Sequence, residues 1–496
     1  MIGEITSINE TNIKCIGLSN QKVGDMVEID KEIQLIGEII KITKESSVIQ
    51  CFEDTSGLEI HDDAINLQYP LSMELGPGLL NTIYDGIQRP LDKLSKLSGS
   101  FISRGLKVNS IDRDRKWHFI PKMKEGEHVE QGDIIGSVME GAIEHEIMIP
   151  FGFSGSLETI NEGNFTVDAL SYSVKTGNGK SIQMSLLQRW PIRQPRPYKE
   201  RFMPNTPLIT GTRVFDLLFP IARGGCVAVP GGFGTGKTVV QHNLAKYADA
   251  DIIVYIGCGE RGNEMADLLE QFPKLEDPVY HQPLLQRTVM IANTSNMPVS
   301  AREASIFAGI TIAEYWRDMG KNVLLLADST SRWAEALREL SGRLEEMPTE
   351  GGYPAYLSTR LSNFYERAGY VNSLGSPNRD GSVTIVGAVS PPSGDFSEPV
   401  TKNTKRYVQA FWALDDRLAY ARHYPSVNWT DSYSLYDGLE NYWEEHIEEG
   451  WQESRLEVNH ILAKAVELEN VSQLVGAENL PAAQQLVIFT SSLIKD

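Results

Sequence analysis

Residues Gly231-Gly232-Phe233-Gly234-Thr235-Gly236-Lys237-Thr238 fit the spacing G-x-x-x-x-G-K-[ST]. Glycines at these places let successive backbone N–H groups turn toward one point and form a nest for an anion. An apolar run, CVAV, precedes the loop, and a helical pattern follows from Lys237. The positive end of that helix would add to the anion site. Such a loop cradles a polyphosphate, with Lys237 reaching the β- and γ-phosphates and the Thr238 hydroxyl ligating Mg2+. A chance match in a glycine-rich loop would lack the flanking strand and helix.

Phosphate binding alone is not catalysis, which needs an acid for the metal shell and a group that orients water. Asp328 closes the apolar run VLLLAD and suits the second metal-site acid; a plain strand-end cap is the alternative. Glu260 follows another apolar run, in GCGERGNEM (Gly257–Met265), and is the candidate base. At the C-terminal edge of a parallel sheet it would face the same crevice as the loop. Glu264 would touch Mg2+ through water, and Arg261 would pair with a carboxylate. A solvated, capped helix end is the competing reading of this cluster.

The elements that must hold these residues alternate apolar runs with helical patterns: CVAV, DIIVYIGC, NVLLLAD and SVTIVGAV. Continuous apolar strands predict a parallel sheet buried on both faces. Upstream, the first ~70 residues (IGEITSI, IGEIIKI, SSVIQCF) read as short strands of a small barrel. LLNTIYDGIQRPL shows helical spacing up to Pro90. From about 105 to 185 the chain is again β-like, with KEGEHVEQGDIIGSV as strand–turn–strand. It looks like a biotinyl or lipoyl carrier, but MEGAIEHEIMIP (Met139–Pro150) has no lysine to carry a group. A Pro- and Arg-rich stretch over 188–207 cannot hold a helix. Beyond about 435, YWEEHIEEGWQESRLEVNHILAKAVEL reads helical. The expected division is a barrel over 1–70, a connector with a β-rich insertion and Pro-rich linker over 71–205, an α/β nucleotide domain over 206–434 and a helical domain over 435–496.

The net charge of −20 argues against a nucleic-acid motor, which needs a positive surface. Four cysteines in no metal spacing read as free thiols in a reducing compartment. The N-terminus lacks the pattern of a signal peptide. The longest strongly apolar runs, such as Val323–Ala327, are strand-sized, short of the ~20 residues that cross a bilayer. Any membrane attachment is therefore expected through partners.

Taken with PLSMELGPGLLNTIYDGIQRPL, GTRVFDLLFPIARGG, LLLADSTSRWAEALRELSGRLEEMP, GGYPAYLSTRLSNFYERAG, SPPSGDFSEPVT and YPSVNWTDSYS, these motifs resemble the alpha/beta family of rotary ATPase ring subunits, nearest to the catalytic A subunits of V-type and archaeal-type enzymes. The resemblance runs from about 70 to 435. It implies an N-terminal β-barrel, a bulge insertion near 105–185, a RecA-like P-loop domain and a C-terminal helical domain, here shorter than usual. It implies a translocase that couples Mg-ATP hydrolysis or synthesis to proton or sodium movement from the cytoplasmic face of the cell membrane. Non-catalytic B subunits would alternate with this chain in a hexamer and supply an arginine in trans. Central and peripheral stalk subunits would link it to the membrane sector.

Carried over residue by residue, Lys237 and Thr238 match the phosphate and magnesium contacts. Glu260 matches the base, Arg261 and Glu264 its neighbours, Asp328 the second acid, and Arg332 a further site arginine. Phe233 and Tyr424 either pack near the nucleotide or serve ordinary core packing. Thr235 stands where eukaryotic members carry a redox-sensitive cysteine, pointing to a bacterial or archaeal chain. The alternatives are a non-catalytic ring subunit, which should lack the intact loop or the base, and an export-type hexameric ATPase, which lacks the bulge.

Overall fold

In the computed structural model, which describes residues 2–30, 32–99, 102–278 and 281–495, the chain begins with six antiparallel strands closed into a barrel. Gly3–Asn9 pairs with Asn12–Ile16 on one side and closes the barrel against Asp63–Pro70 on the other. Alternate residues point inward, so Ile5, Ile13, Ile29, Ile39 and Ile49 fill the interior with no exposure.

The insertion is a sandwich of two four-stranded antiparallel sheets. KEGEHVEQGDIIGSV is strand–turn–strand, but its two strands do not pair with each other. His128–Val129 joins Gly155–Ile160, whereas Ile134–Glu140 joins Ile143–Met148 and Trp117–Pro121 in the opposite sheet. The hairpin turn at Gly141-Ala142 carries no lysine.

A buried relay fixes the sandwich to the rest of the molecule. His145 Nδ1 lies 2.7 Å from Glu140 Oε2, and its Nε2 lies 2.9 Å from the Tyr315 hydroxyl. The other Glu140 oxygen accepts from the Gly78 and Leu80 amides at 3.0 and 2.8 Å. Each polar atom of the relay has a partner, as burial demands.

The central sheet runs in the order Tyr433–Ser434, Ala410–Phe411, Cys226–Pro230, Asp380–Val389, Asn322–Asp328, Ile252–Glu260, Thr288–Thr294, Thr82–Tyr84. From Ala410–Phe411 to Thr82–Tyr84 each neighbouring pair is parallel. The four expected apolar runs all lie in it, buried nearly throughout. Thr288–Thr294 is a further strand that the sequence reading passed over.

LLNTIYDGIQRPL is not a helix. Its Thr82–Tyr84 forms the edge strand, and the helix starts only at Leu91, after Pro90. The spacing of its apolar residues reflects burial of the edge strand and the turn after it, and Pro90, lacking an N–H, sits where a helix start tolerates it.

Helix Val299–Asp318 is buried along its whole length between the sheet and the proline-rich stretch. That stretch contains no helix, as its prolines require, and is an ion-paired strap. Arg193 bridges Glu38 of the barrel and Glu303 of the helix at 2.9 and 2.8 Å. Arg196 pairs with Asp318 at 2.6 Å. The C-terminal helical stretch is split: Glu440–His446 and Trp451–Val475 meet at Gly450, whose φ of 86° breaks the helix. Ala482–Lys495 then packs back on the longer helix through Lys495 and Glu469. No helix among the described residues is long and apolar enough to cross a membrane.

Candidate functional site

The C-terminal ends of the parallel strands open on a cleft of about 620 Å³. Its floor is the loop between Cys226–Pro230 and helix Lys237–Tyr247. Gly234 and Gly236 have φ of 82° and 90°, a region a side chain strongly disfavours. At Gly236 the reason is double, because a Cβ would also lie 3.4 Å from the Tyr424 ring. Thr235 and Ser426 brace the loop from beneath: Thr235 Oγ1 donates to the Gly232 carbonyl at 3.0 Å, and Ser426 Oγ to the Thr235 carbonyl at 2.7 Å.

Lys237 follows the last glycine, and its Nζ donates to the Gly231 and Gly232 carbonyls at 2.8 and 2.7 Å. Burial pushes this ammonium below the usual lysine range, with Asp328 and Glu260 opposing the shift. Thr238 Oγ1 donates to Asp328 Oδ2 at 3.0 Å, and the Tyr255 hydroxyl donates to the same oxygen at 3.2 Å. Burial raises the Asp328 carboxyl, and those two donors and Lys237 counteract it.

Glu260 reaches the cleft through a bulge. Against Thr288–Thr294 the pairing runs Cys258 to Asn293 and then Glu260 to Thr294, which leaves Gly259 unpaired. Gly259 has φ of 72°, and a Cβ there would meet Arg332 Cβ at 2.8 Å. The extra residue re-aims the next side chain, a common use of a bulge beside a site. The Glu260 carboxyl is pushed up to about 8, first by burial, then by Asp328 and by Glu264; Arg332 pulls it the other way.

The structure thus brings Lys237, Thr238, Glu260, Arg261, Glu264, Asp328, Phe233 and Tyr424 to one cleft. The core-packing reading of Phe233 and Tyr424 is overturned, since they are 81% and 54% exposed. Arg261, expected beside a carboxylate, has its guanidinium 5.2 Å from the Phe233 ring centre. Arg332 is at the cleft and pairs with Glu335 at 2.8 Å.

Sequence reading missed Tyr255, Ser331, Glu335 and the Ser390–Ser393 loop. Glu335 was within reach, one helical turn after Arg332. Tyr255 was not, because a tyrosine inside an apolar strand gives no sign that its hydroxyl meets an aspartate.

Mg2+ fits this donor set. A hydroxyl and a carboxylate, both hard oxygens, meet at Thr238 and Asp328, and the Glu260 carboxyl near them is held above its ordinary range. Among the described residues no group of three or more acids, histidines or cysteines would cage an ion unaided.

A parallel sheet with a phosphate loop after one strand and acids at the ends of two others defines a P-loop nucleotide-binding domain. The comparisons agree. The nucleotide-binding domain of the ATP synthase alpha/beta family matches residues 211–434, and the ATPsynthase alpha/beta subunit barrel-sandwich domain matches 108–193. Over its full length the chain is 55% identical to the V-type ATP synthase alpha chain of Thermoanaerobacter pseudethanolicus, spanning 84% of it. It is 53% identical to the A subunit of the A-type ATP synthase of Methanopyrus kandleri, again over the whole chain and 84% of that relative. The V-type ATP synthase alpha chain of Clostridium botulinum is 51% identical with the same coverage. The chain belongs to the ATP synthase alpha/beta family, on its V/A-type alpha-chain branch.

Proposed function

We propose that the cleft carries out in-line attack of water on the γ-phosphate of ATP, and the reverse reaction. The chain is the catalytic A subunit of a V/A-type ATP synthase, coupling that chemistry to ion transport. The observation that carries the reading is the convergence of Lys237, Thr238, Glu260 and Asp328 in one cleft, with Glu260 turned in by the Gly259 bulge.

Lys237 and the loop amides hold the β- and γ-phosphates and oppose the charge that develops there. Thr238 and Asp328 would hold Mg2+, with Glu264 beside them in the cleft. When bound, the ion neutralises charge on the phosphate oxygens. Glu260 orients the attacking water and takes its proton. Positive charge arriving beside Glu260 favours its ionised form, the one a base needs. Arg261 and Arg332 stand at the mouth as further cations. Phe233 and Tyr424, exposed at the rim, offer apolar faces to the nucleotide base.

The proposed partners are non-catalytic B subunits that alternate with this chain in a hexamer, and stalk subunits leading to a membrane sector. An arginine supplied in trans is typically worth about 10³–10⁵ in rate. The chain alone should therefore be nearly silent. Mg-dependent ATPase activity, measured for the chain alone and mixed with its B-type partner, tests this. Activity confined to the mixture and lost in Glu260→Gln supports the reading; equal activity of chain and mixture would refute the shared site.

A further inference from the structure

Arg193, Arg201, Arg317 and Arg367 line a second cleft, of about 320 Å³. It lies toward the other end of the central strands from the nucleotide cleft. Arg317 is in the last turn of the helix that leads into strand Asn322–Asp328, and Arg367 precedes Gly369–Asn372, which pairs with the first part of Asp380–Val389. In a chain of net charge −20 this is a local excess of guanidinium groups.

Carboxylates neutralise most of them. Glu38 and Glu303 hold Arg193, Glu314 holds Arg367, and Asp318 is shared by Arg196 and Arg317. Two guanidiniums at the cleft are less fully matched. Arg201 is held by the Glu366 and Ala368 main-chain carbonyls at 3.2 and 2.6 Å, and among the described residues it has no carboxylate partner. Arg317 Nη1 comes only within 3.7 Å of Glu314, beyond hydrogen-bond range. An arginine that lines a cleft and has no carboxylate of its own can take an anion from outside.

We propose that this cleft is a second anion site, binding a small tetrahedral oxyanion of the phosphate type between Arg201 and Arg317. The guanidinium forks match such an anion in geometry and charge. Tyr198, whose ring lies 5.8 Å from the Arg317 guanidinium carbon, forms one wall. Glu366, also at this cleft, places a carboxylate against the site and weakens it.

The test is inorganic phosphate binding to the full chain carrying Lys237→Ala, which weakens the nucleotide loop, followed by phosphorus NMR line broadening at constant ionic strength. One remaining site is expected. Adding Arg201→Met should weaken it at least about tenfold, the loss of a charge-assisted contact. Adding Glu366→Gln, a surface change that leaves the fold alone, should tighten it about threefold by removing like charge. Absence of any remaining site, indifference to both substitutions, or displacement by acetate as readily as by sulfate would each overturn the assignment.

Discussion

Thr238 and Asp328, 90 residues apart in the chain, are joined by a 3.0 Å hydrogen bond from Oγ1 to Oδ2. One stands in the first turn of the helix after the phosphate loop and the other ends a strand two places across the sheet. The contact brings the hydroxyl and the carboxylate proposed for Mg2+ to the same point.

Asp328→Asn keeps an acceptor for Thr238 and Tyr255 but removes the charge. Magnesium-free ATP should bind the variant about as well as the parent. The gain in affinity on adding Mg2+ should shrink by about 10–100-fold, the usual range for altered metal-site partners. Titration of a fluorescent ATP analogue with and without Mg2+ separates the two terms.

Glu260→Gln keeps the size of the side chain and loses the base. In the assembled complex the turnover number should fall by about 10²–10⁴, the range for a general base, with nucleotide affinity little changed. A parallel loss of affinity, measured by calorimetry, would make Glu260 a structural residue.

The raised Glu260 carboxyl also sets a pH dependence of stability in the nucleotide-free chain. Its folded value of about 8 lies above the ordinary 4.5, so the folded form holds the proton more tightly than the unfolded form. Stability from this group is lost as pH rises from about 4.5, and the loss is complete above about 8. Glu260→Gln should therefore raise the melting temperature at pH 9 and leave it unchanged at pH 4. Melting curves across that range check the sign.

Gly236→Ala forces a side chain into φ of 90° against the Tyr424 ring. The strain should cost about 1–2 kcal/mol and disturb the loop amides, so nucleotide affinity should fall with stability. Gly342→Ala is the control. It lies in helix Thr330–Arg343 with nothing within 4 Å of an added Cβ. It should stabilise by about 0.5–1 kcal/mol and leave affinity alone.

His145→Phe keeps a ring against Trp316 but strands Glu140 Oε2 and the Tyr315 hydroxyl, both buried. Two unmet groups should cost about 2–4 kcal/mol. Hydrogen exchange should report the loss first in the sandwich and in the Gly78–Leu80 amides that Glu140 holds.

What the sequence by itself determined is whatever is written locally. The phosphate loop was legible because its glycines, lysine and threonine are adjacent and each has one chemical task. Four of the buried strands were legible because they are unbroken apolar runs, though Thr288–Thr294 was passed over, and Glu260 and Asp328 were legible because they stand at the ends of two of them. Only the tertiary structure decided the rest. Thr82–Tyr84 is a strand because the edge at Thr288–Thr294 needed a partner, and this overrode its helical spacing. His128–Val129 and Ile134–Glu140 went to opposite sheets, which no local pattern encodes. Tyr255 meets Asp328, Arg261 meets Phe233, and Arg193 ties the barrel to the helix through contacts between residues far apart in the chain. Residue type and spacing fix what a side chain can do and which way a short segment turns. Its partner is chosen by long-range packing, where burial and the pairing of every polar group must be satisfied together.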